Sequence, residues 1–491
     1  MTIFGVALLA VLSSGLPCWA VTDDPWLTLG TAPLVFALFA TLSAILATLF
    51  GLPLLAIFVP AMIAANVAAL WALFTREPPS LAGSQPLTGA VLAAVTAYGL
   101  LPLKSPLLDW DTRTHWLGPA HWYLGGGSYV RYAITNPAFH HRSYPPLVAA
   151  SAGTTWLLQG HVDLRSGQVL ISVLNYGAVL LIGLGVTRLF PKMGALPPLG
   201  AAMLVLSVFG IAGQFATDGY ADLLWASCAT VAVLYLLLAP ASRVNIAIGS
   251  LAICVAGLTK VEGMVVAVAL IGFGCWRHRK HFIEAWPVVA AAPIVLLWPV
   301  YVRLLGVPTD LHPEDVHAFI NGHDAVWRRV IPTSGSMLHA TGGILVVAAL
   351  CTVIGTNVAL QERERLRIGS SDWAWGTVGV AALAIASAYI VSSDELGLHL
   401  RSSVGRVTIV LRILLLTDVV IWALCGVRAL ASLSNWARGK SPVQAGPDAL
   451  RRRVLDRAMV VALGRPPTRR LPLPEGFGDP SPTRQDEPVG R

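Results

Sequence analysis

Charge is what this chain has least of. Only 12% of its 491 residues are Asp, Glu, Lys or Arg, whereas ordinary soluble domains carry roughly 25%. So little charge excludes a soluble globular enzyme, a disordered polar chain and a fibrous repeat. Paired cysteines are missing as well. The six, Cys18, Cys228, Cys254, Cys275, Cys351 and Cys425, sit singly in apolar runs without metal-ligand spacing. They read as small buried hydrophobes rather than a disulfide or metal framework. No basic stretch precedes the apolar N-terminus, which favours a first membrane span over a cleaved leader.

Apolar sequence is what the chain has in excess, at 55% hydrophobic residues and a mean hydropathy of +0.67. Apolar stretches run near 4–20, 29–50, 52–74, 87–103, 168–187, 195–216, 219–239, 246–259, 262–276, 285–305, 336–357, 373–393 and 408–432. At about 20 residues per span, they predict an all-α polytopic membrane protein with about 12–13 transmembrane helices. Trp and Tyr near the stretch ends fit interfacial belts. The run 146–159 is too short to span comfortably and reads as re-entrant or half-deep. Three regions follow: N-terminal membrane helices over 1–86, a transmembrane core over 87–435, and a basic, Pro-rich cytoplasmic tail over 436–491, largely disordered by composition.

Net charge is +8, from 34 basic and 26 acidic side chains. The tail 436–491 holds eleven Lys/Arg against six acids and so supplies +5 of it. That concentration is a positive-inside signal rather than a nucleic-acid footprint, and no nucleic-acid partner is expected. Smaller basic clusters stand at Arg188 with Lys192, at Arg243, and within 277–280 and 363–367. Placing all of them in the cytoplasm turns 104–167, 217–222, 306–335 and 394–407 outward. The tip 259–263 then lies near the outer side.

The outward segments carry the chemistry. The first contains Asp109-Trp110-Asp111, Trp116, His121-Trp122-Tyr123 and Tyr144-Pro145-Pro146. Trp and Tyr offer sugar rings and headgroups an apolar face with a polar tip, though the same residues would serve a merely interfacial loop. Asp218, Tyr220 and Asp222 open the next helix, where acids also suit the helix dipole. Lys260 and Glu262 interrupt an apolar run, a costly placement unless they are paired or face a cavity. An ion pair and a contact to a phosphate or sugar are both open there. His399, Arg401 and Arg406 form a basic loop on the wrong side for topology, which suits an anionic ligand because an Arg fork matches phosphate geometry. His312, Glu314, Asp315, His317, His323 and Asp324 in 306–335 lack tight ligand spacing, so no metal is indicated.

The ordered motifs resemble those of bacterial membrane glycosyltransferases with the GT-C fold, related to the protein O-mannosyltransferases and the lipid A aminoarabinose transferases. Trp110-Asp111 followed by Trp116 and Ala120 looks like the family's first-loop pattern. Tyr144-Pro145-Pro146-Leu147 resembles its aromatic-or-His, Pro-Pro-Leu signature. Tyr220-Ala221-Asp222, Thr259-Lys260-Val261-Glu262-Gly263 and His399-Leu400-Arg401-Ser402-Ser403 through Arg406 are similar to later motifs of one branch. The match covers about 100–410. It departs from the family in having its first-loop acids split by Trp110 and in three extra N-terminal spans.

The resemblance implies a GT-C-like fold with an extracytoplasmic first loop, in the inner (cytoplasmic) membrane. It implies transfer of a sugar, with inversion, from a polyprenyl-phosphate donor to a glycan, lipid or protein acceptor on the outer side. Asp111 is then the expected base, with Asp109 its rival. Trp116, Tyr144, Asp222, Lys260, Glu262, His399, Arg401 and Arg406 are the expected donor and substrate contacts, with no cofactor required. A transporter or flippase of a lipid-linked sugar is the alternative. Such proteins often show repeated halves with broken helices, and no internal repeat is visible here. A non-catalytic scaffold would leave the intramembrane charges unexplained.

Overall fold

The computed structural model describes residues 3–75, 86–99, 111–139, 142–191, 193–280, 283–307, 323–361, 369–391 and 396–439. The chain divides into two units, Met1–Ser432 and Leu433–Arg491. Every regular element among the described residues is helical. Four helices come first: α1 (Ile3–Thr22), α2 (Pro25–Phe50), α3 (Leu54–Thr75) and α4 (Pro86–Gly99). A π turn (Thr112–Trp116) and a 3-10 turn (Pro119–Gly125) lead into α5 (Gly126–Thr135) and α6 (Leu147–Gln159). Next are α7 (Leu164–Leu189), α8 (Leu196–Ala212), and α9 (Asp222–Ala232) with its π continuation Val233–Leu238. The rest are α10 (Arg243–Thr259), α11 (Val261–Arg277), α12 (Trp286–Leu304), α13 (His323–Gln361), α14 (Gly369–Val391), α15 (Leu396–Val407) and α16 (Ile409–Gly439).

Among the described residues, seven stretches of helix are long and apolar enough to cross a membrane. They are α2, α3, α7, α12, most of α13, most of α14, and the run from α15 into α16. Helix α4, α8, α9 with its π continuation, and α10 are apolar but shorter. By length and composition this is a polytopic all-α membrane protein, and among the described residues each of the thirteen apolar stretches overlaps a helix. Helix α3 exposes Ile63, Val67, Trp71 and Phe74, and α13 exposes Val346, Val347, Leu350, Val353 and Ile354. Apolar patches of this extent are rare on soluble monomers and match a hydrocarbon solvent. Helix α7 is the opposite case, buried along nearly its whole length. Its Gly177 lets α2 approach so closely that a Cβ there would lie 2.5 Å from the Gly30 carbonyl oxygen. Small residues at helix contacts are how membrane bundles gain packing.

Caps and side chains satisfy the backbone where hydrocarbon offers no partner. Asp24 caps α2 and Asp163 caps α7, each accepting two backbone N–H groups. The hydroxyls of Thr31, Thr41, Thr48, Thr96 and Thr230 donate to carbonyls one turn back. The π continuation of α9 frees carbonyls at Leu236 and Leu237. His278 meets the first at 2.9 Å, and the Arg277 Nε donates to the second at 3.3 Å. Deep in the bundle, Trp375 of α14 donates to Thr352 of α13, which donates to Asp418 of α16 at 2.7 Å.

These contacts give the bundle two ends. At one, Arg188 at the close of α7 pairs with Asp24 at the start of α2, 3.5 Å apart, and the Leu236–His278 contact lies at the same end as Tyr235, which is within Coulombic range of both. At the other, the last turn of α2 meets α5. The Arg131 guanidinium donates to the Thr48 and Leu49 carbonyls, and Gly127 sits where a Cβ would strike the Ala47 carbonyl at 1.9 Å. The start of α7 belongs to this second end, where Gln168 donates to the Thr217 carbonyl at 2.8 Å. Arg188, Arg243, Arg277, Arg279 and Lys280 all fall at the first end, by the direction of their helices.

One expectation gains a physical cause and two change in detail. The run 146–159 is a helix of 13 residues, α6, whose residues from Leu147 to Trp156 are buried by protein. It is too short to cross, and burial is what lets it stop part-way. The segment 394–407, expected as a loop, is helical from Leu396 as α15. Helix α13 begins at His323, well ahead of the apolar stretch it contains, because the polar lead 323–335 is also helical. The expectations for 308–322 and for most of the tail, 440–491, fall outside the described residues. Helices α1–α3 belong to the same unit as the core.

Single cysteines at Ser128 and Arg279, in a background with the six native cysteines replaced by alanine, are expected to react with a membrane-impermeant maleimide from opposite faces of the membrane. Labelling of both from the same face of sealed vesicles would contradict the two-ended arrangement.

Candidate functional site

Five charged side chains from four separate stretches of chain meet at the second end. Asp222 is the first residue of α9, reached through a turn in which Gly219 holds φ at +87°. That left-handed conformation is one that glycine adopts without strain. Lys260 sits in an extended break, φ −152° and ψ 155°, between α10 and α11. Glu262 follows in the first turn of α11. Gly263 allows the restart: a Cβ there would lie 2.3 Å from the Ala256 carbonyl oxygen. Asp111 precedes the π turn, which is tied down by Thr112 donating to the Asp218 carbonyl at 2.8 Å. Arg406 lies in the last turn of α15.

Their charges alternate along a chain. Asp111 contacts Arg406 at 2.5 Å, and Arg406 Nε lies 3.2 Å from Asp222. The other Asp222 oxygen accepts from Lys260 at 2.8 Å, and Lys260 lies 3.5 Å from Glu262. The middle is the driest part. The Asp222 side chain is 1% exposed and Lys260 6%, while Glu262 is 15%, Arg406 15% and Asp111 28% exposed. Three carboxylates share two cations, so the chain ends in a carboxylate at each side and carries one negative charge in excess. The Arg406 guanidinium also lies over the Tyr220 ring, 4.5 Å from its centroid. Cation–π contact of this kind adds roughly 0.5–2 kcal/mol and fixes the plane of the fork.

Aromatic side chains surround the chain. Trp116 is buried and meets Tyr144 edge-to-face with centroids 5.7 Å apart. Tyr144 lies within Coulombic range of Lys260, and Trp298 holds the neighbouring Ser143 carbonyl by an indole hydrogen bond of 3.1 Å. His399 is half-buried, its ring tilted against Tyr389 with centroids 4.7 Å apart. The Ser403 hydroxyl donates to the His399 carbonyl, which leaves its oxygen to accept from Tyr389 at 2.6 Å. Tyr389 is also within Coulombic range of Lys260, Glu262 and Arg406.

The structure thus gathers Asp111, Asp222, Lys260, Glu262 and Arg406, with Tyr144 beside them. Trp116 reaches the group through Tyr144, and His399 through Tyr389. Arg401 is not gathered. Once 396–407 is a helix, positions 399, 403 and 406 share a face and 401 falls on the other, where it is exposed. Lys260 is not open to a ligand either, because burial and two carboxylates already use its charge. Asp109 lies outside the described residues. Tyr389 was not singled out by sequence, and Ser403 entered only as part of the motif 399–406, with no role of its own. An aromatic near a span end looks like any interfacial belt residue, and only the i, i+4 and i+7 spacing of 399, 403 and 406 hints at a shared face. Among the described residues, no three His, Cys, Asp or Glu gather as metal ligands.

Comparison of the chain with family models, with curated proteins and with solved structures finds no match in any of the three.

Removing one partner of a buried pair leaves an uncompensated charge, at a cost of roughly 3–5 kcal/mol. Lys260→Met is therefore expected to lower the unfolding temperature of the detergent-solubilised protein sharply. Lys260→Met combined with Asp222→Asn should lose less than Lys260→Met alone. A wild-type melting profile for Lys260→Met would show that the pair is not holding the helices.

Proposed function

We propose that this protein is a GT-C-like membrane glycosyltransferase with about 12–13 spans. It moves a sugar from a polyprenyl-phosphate donor to a glycan, lipid or protein acceptor at the outer face of the cytoplasmic membrane, with inversion. The observation that carries the reading is the alternating chain from Asp111 to Glu262, assembled from the ordered motifs at one end of an apolar bundle. The sidedness rests on Arg188, Arg243, Arg277, Arg279 and Lys280 at the opposite end, since basic residues favour the cytoplasm.

The chemistry asks for three things. The acceptor hydroxyl is a weak nucleophile until a base takes its proton. Asp111, the most open carboxylate of the chain, fills that role. The acceptor oxygen attacks the anomeric carbon opposite the phosphate, and the sugar–phosphate C–O bond breaks with its electron pair leaving on the phosphate. That growing negative charge requires a fixed cation. Arg406 is suited to it, being held from behind by Asp222 and by the Tyr220 ring. Asp222 and Lys260 serve as the buried counter-charges that keep Arg406 and Glu262 in place. Glu262 and the ring of Tyr144 face the sugar, and buried Tyr389 supports them from behind through Ser403 and His399. Arg401, on the exposed side of α15, has no part in the transfer.

Purified protein incubated with a panel of polyprenyl-phosphate sugars is expected to release polyprenyl phosphate from one of them. Asp111→Asn keeps the shape of the side chain and removes its basicity, so turnover at saturating donor should fall about 10²–10⁴-fold, with a smaller loss for Asp109→Asn. Wild-type turnover in a folded Asp111→Asn variant would remove Asp111 as the base. Collapse confined to Asp109→Asn would move the role there.

A further inference from the structure

We infer that Asp111 and the donor phosphate compete for Arg406, so that phosphate binding is what releases Asp111 to act as a base. The inference rests on the glycosyltransferase reading and adds to it an order of events. In the structure Asp111 is spoken for: its carboxylate meets Arg406 Nη1 at 2.5 Å. A carboxylate oxygen held in this charge-assisted contact is turned to the guanidinium and not to an acceptor hydroxyl. The two partners are not equally fixed. Arg406 is anchored twice more, by Asp222 at 3.2 Å and by the face of Tyr220. Asp111 precedes the π turn without capping it by a side-chain hydrogen bond. It is also the most exposed member of the chain. When an oxyanion arrives, Arg406 stays and Asp111 moves.

Charge counting points the same way. The chain already has one carboxylate more than it has cations, so a phosphate adding to the closed arrangement would meet net negative charge. Exchange lessens this by moving one carboxylate off the cation: the phosphate takes the Arg406 fork, and Asp111 turns to the acceptor hydroxyl. The proton removed from that hydroxyl goes to the freed Asp111 carboxylate. The bonding electrons of the broken sugar–phosphate bond go to the phosphate, which the same Arg406 now holds. Without a donor, the base remains latched and acceptor hydroxyls or water are not activated.

The test is binding of farnesyl phosphate and of inorganic phosphate to the full-length protein in nanodiscs. A latch that is mostly closed lowers apparent affinity by its open fraction, so Asp111→Asn should bind farnesyl phosphate about tenfold more tightly than wild type. Glu262→Gln removes an equal charge without touching Arg406 and measures the through-space effect alone. Asp111→Asn must exceed it clearly, and Arg406→Gln must lose binding. In the wild-type protein, farnesyl phosphate should raise the labelling of Asp111 by a water-soluble carbodiimide and amine, read by peptide mass spectrometry. Equal affinities for Asp111→Asn and Glu262→Gln, or no change in Asp111 labelling, would overturn the exchange and leave the glycosyltransferase reading standing. Tighter binding with wild-type turnover in Asp111→Asn would do the reverse, keeping the exchange and removing the base.

Discussion

The Lys260 ammonium sits among apolar helices with Asp222 at 2.8 Å and Glu262 at 3.5 Å. An ion taken out of water into such surroundings costs several kcal/mol unless close partners repay it. Much of the architecture follows from supplying those partners. Asp222 has to open α9 at the depth where α10 breaks, and the break at Lys260 has to be extended so that α11 can restart with Glu262 in its first turn. Asp222 then has a second oxygen to satisfy, which brings in Arg406 from α15. Arg406 in turn brings in Asp111 from the first long segment. Each ion creates the need for the next, and the sequence of needs ends only where side chains reach water.

The bundle treats its other deep carboxylate differently. Asp418 accepts from Thr352, which accepts from Trp375, so three helices are joined by neutral donors. The close approach of Gly355 to the Trp422 ring lies one turn away and lets α13 and α16 touch. Asp418 is buried, Thr352 and Trp375 are half-buried, and the triad joining α13, α14 and α16 has the character of a fastening. The five-membered chain differs in ending on partly exposed side chains, with Asp111 the most open of them, and such an opening is what a site for a polar reactant requires.

Much of this was legible in the sequence, for a reason that applies residue by residue. A charge inside an apolar run is expensive, so Lys260 and Glu262 marked themselves; Asp222 stood out at the opening of a helix and Arg406 in a basic segment against the topogenic trend, and the structure brings the four together. Apolar stretches of about span length marked the helices in the same way. What the pattern could not convey was geometry set by other elements. Arg401 and Arg406 look equivalent in a loop and are separated only when 396–407 winds into a helix. Lys260 looks available until Asp222 and Glu262 are seen around it. Helix α6 looks like a failed span because its hydrophobicity answers to protein neighbours instead of lipid. Tyr389 and Ser403 carry no anomaly at all in one dimension.

The ion pairs join residues made at very different times. Lys260 follows Asp222 by 38 positions, whereas Arg406 follows Asp111 by 295. During synthesis, α10 and α11 therefore enter the bilayer with a counter-ion for Lys260 already in place. Asp111 and one side of Asp222 remain without Arg406 until nearly the last span has left the ribosome. Up to that moment the nascent bundle carries acid without its cation at the second end, and after it the same acid is paired. The ion-pair chain is thus completed only as the last span is made, and a product that stops before α15 keeps Asp111 and one oxygen of Asp222 without their cation.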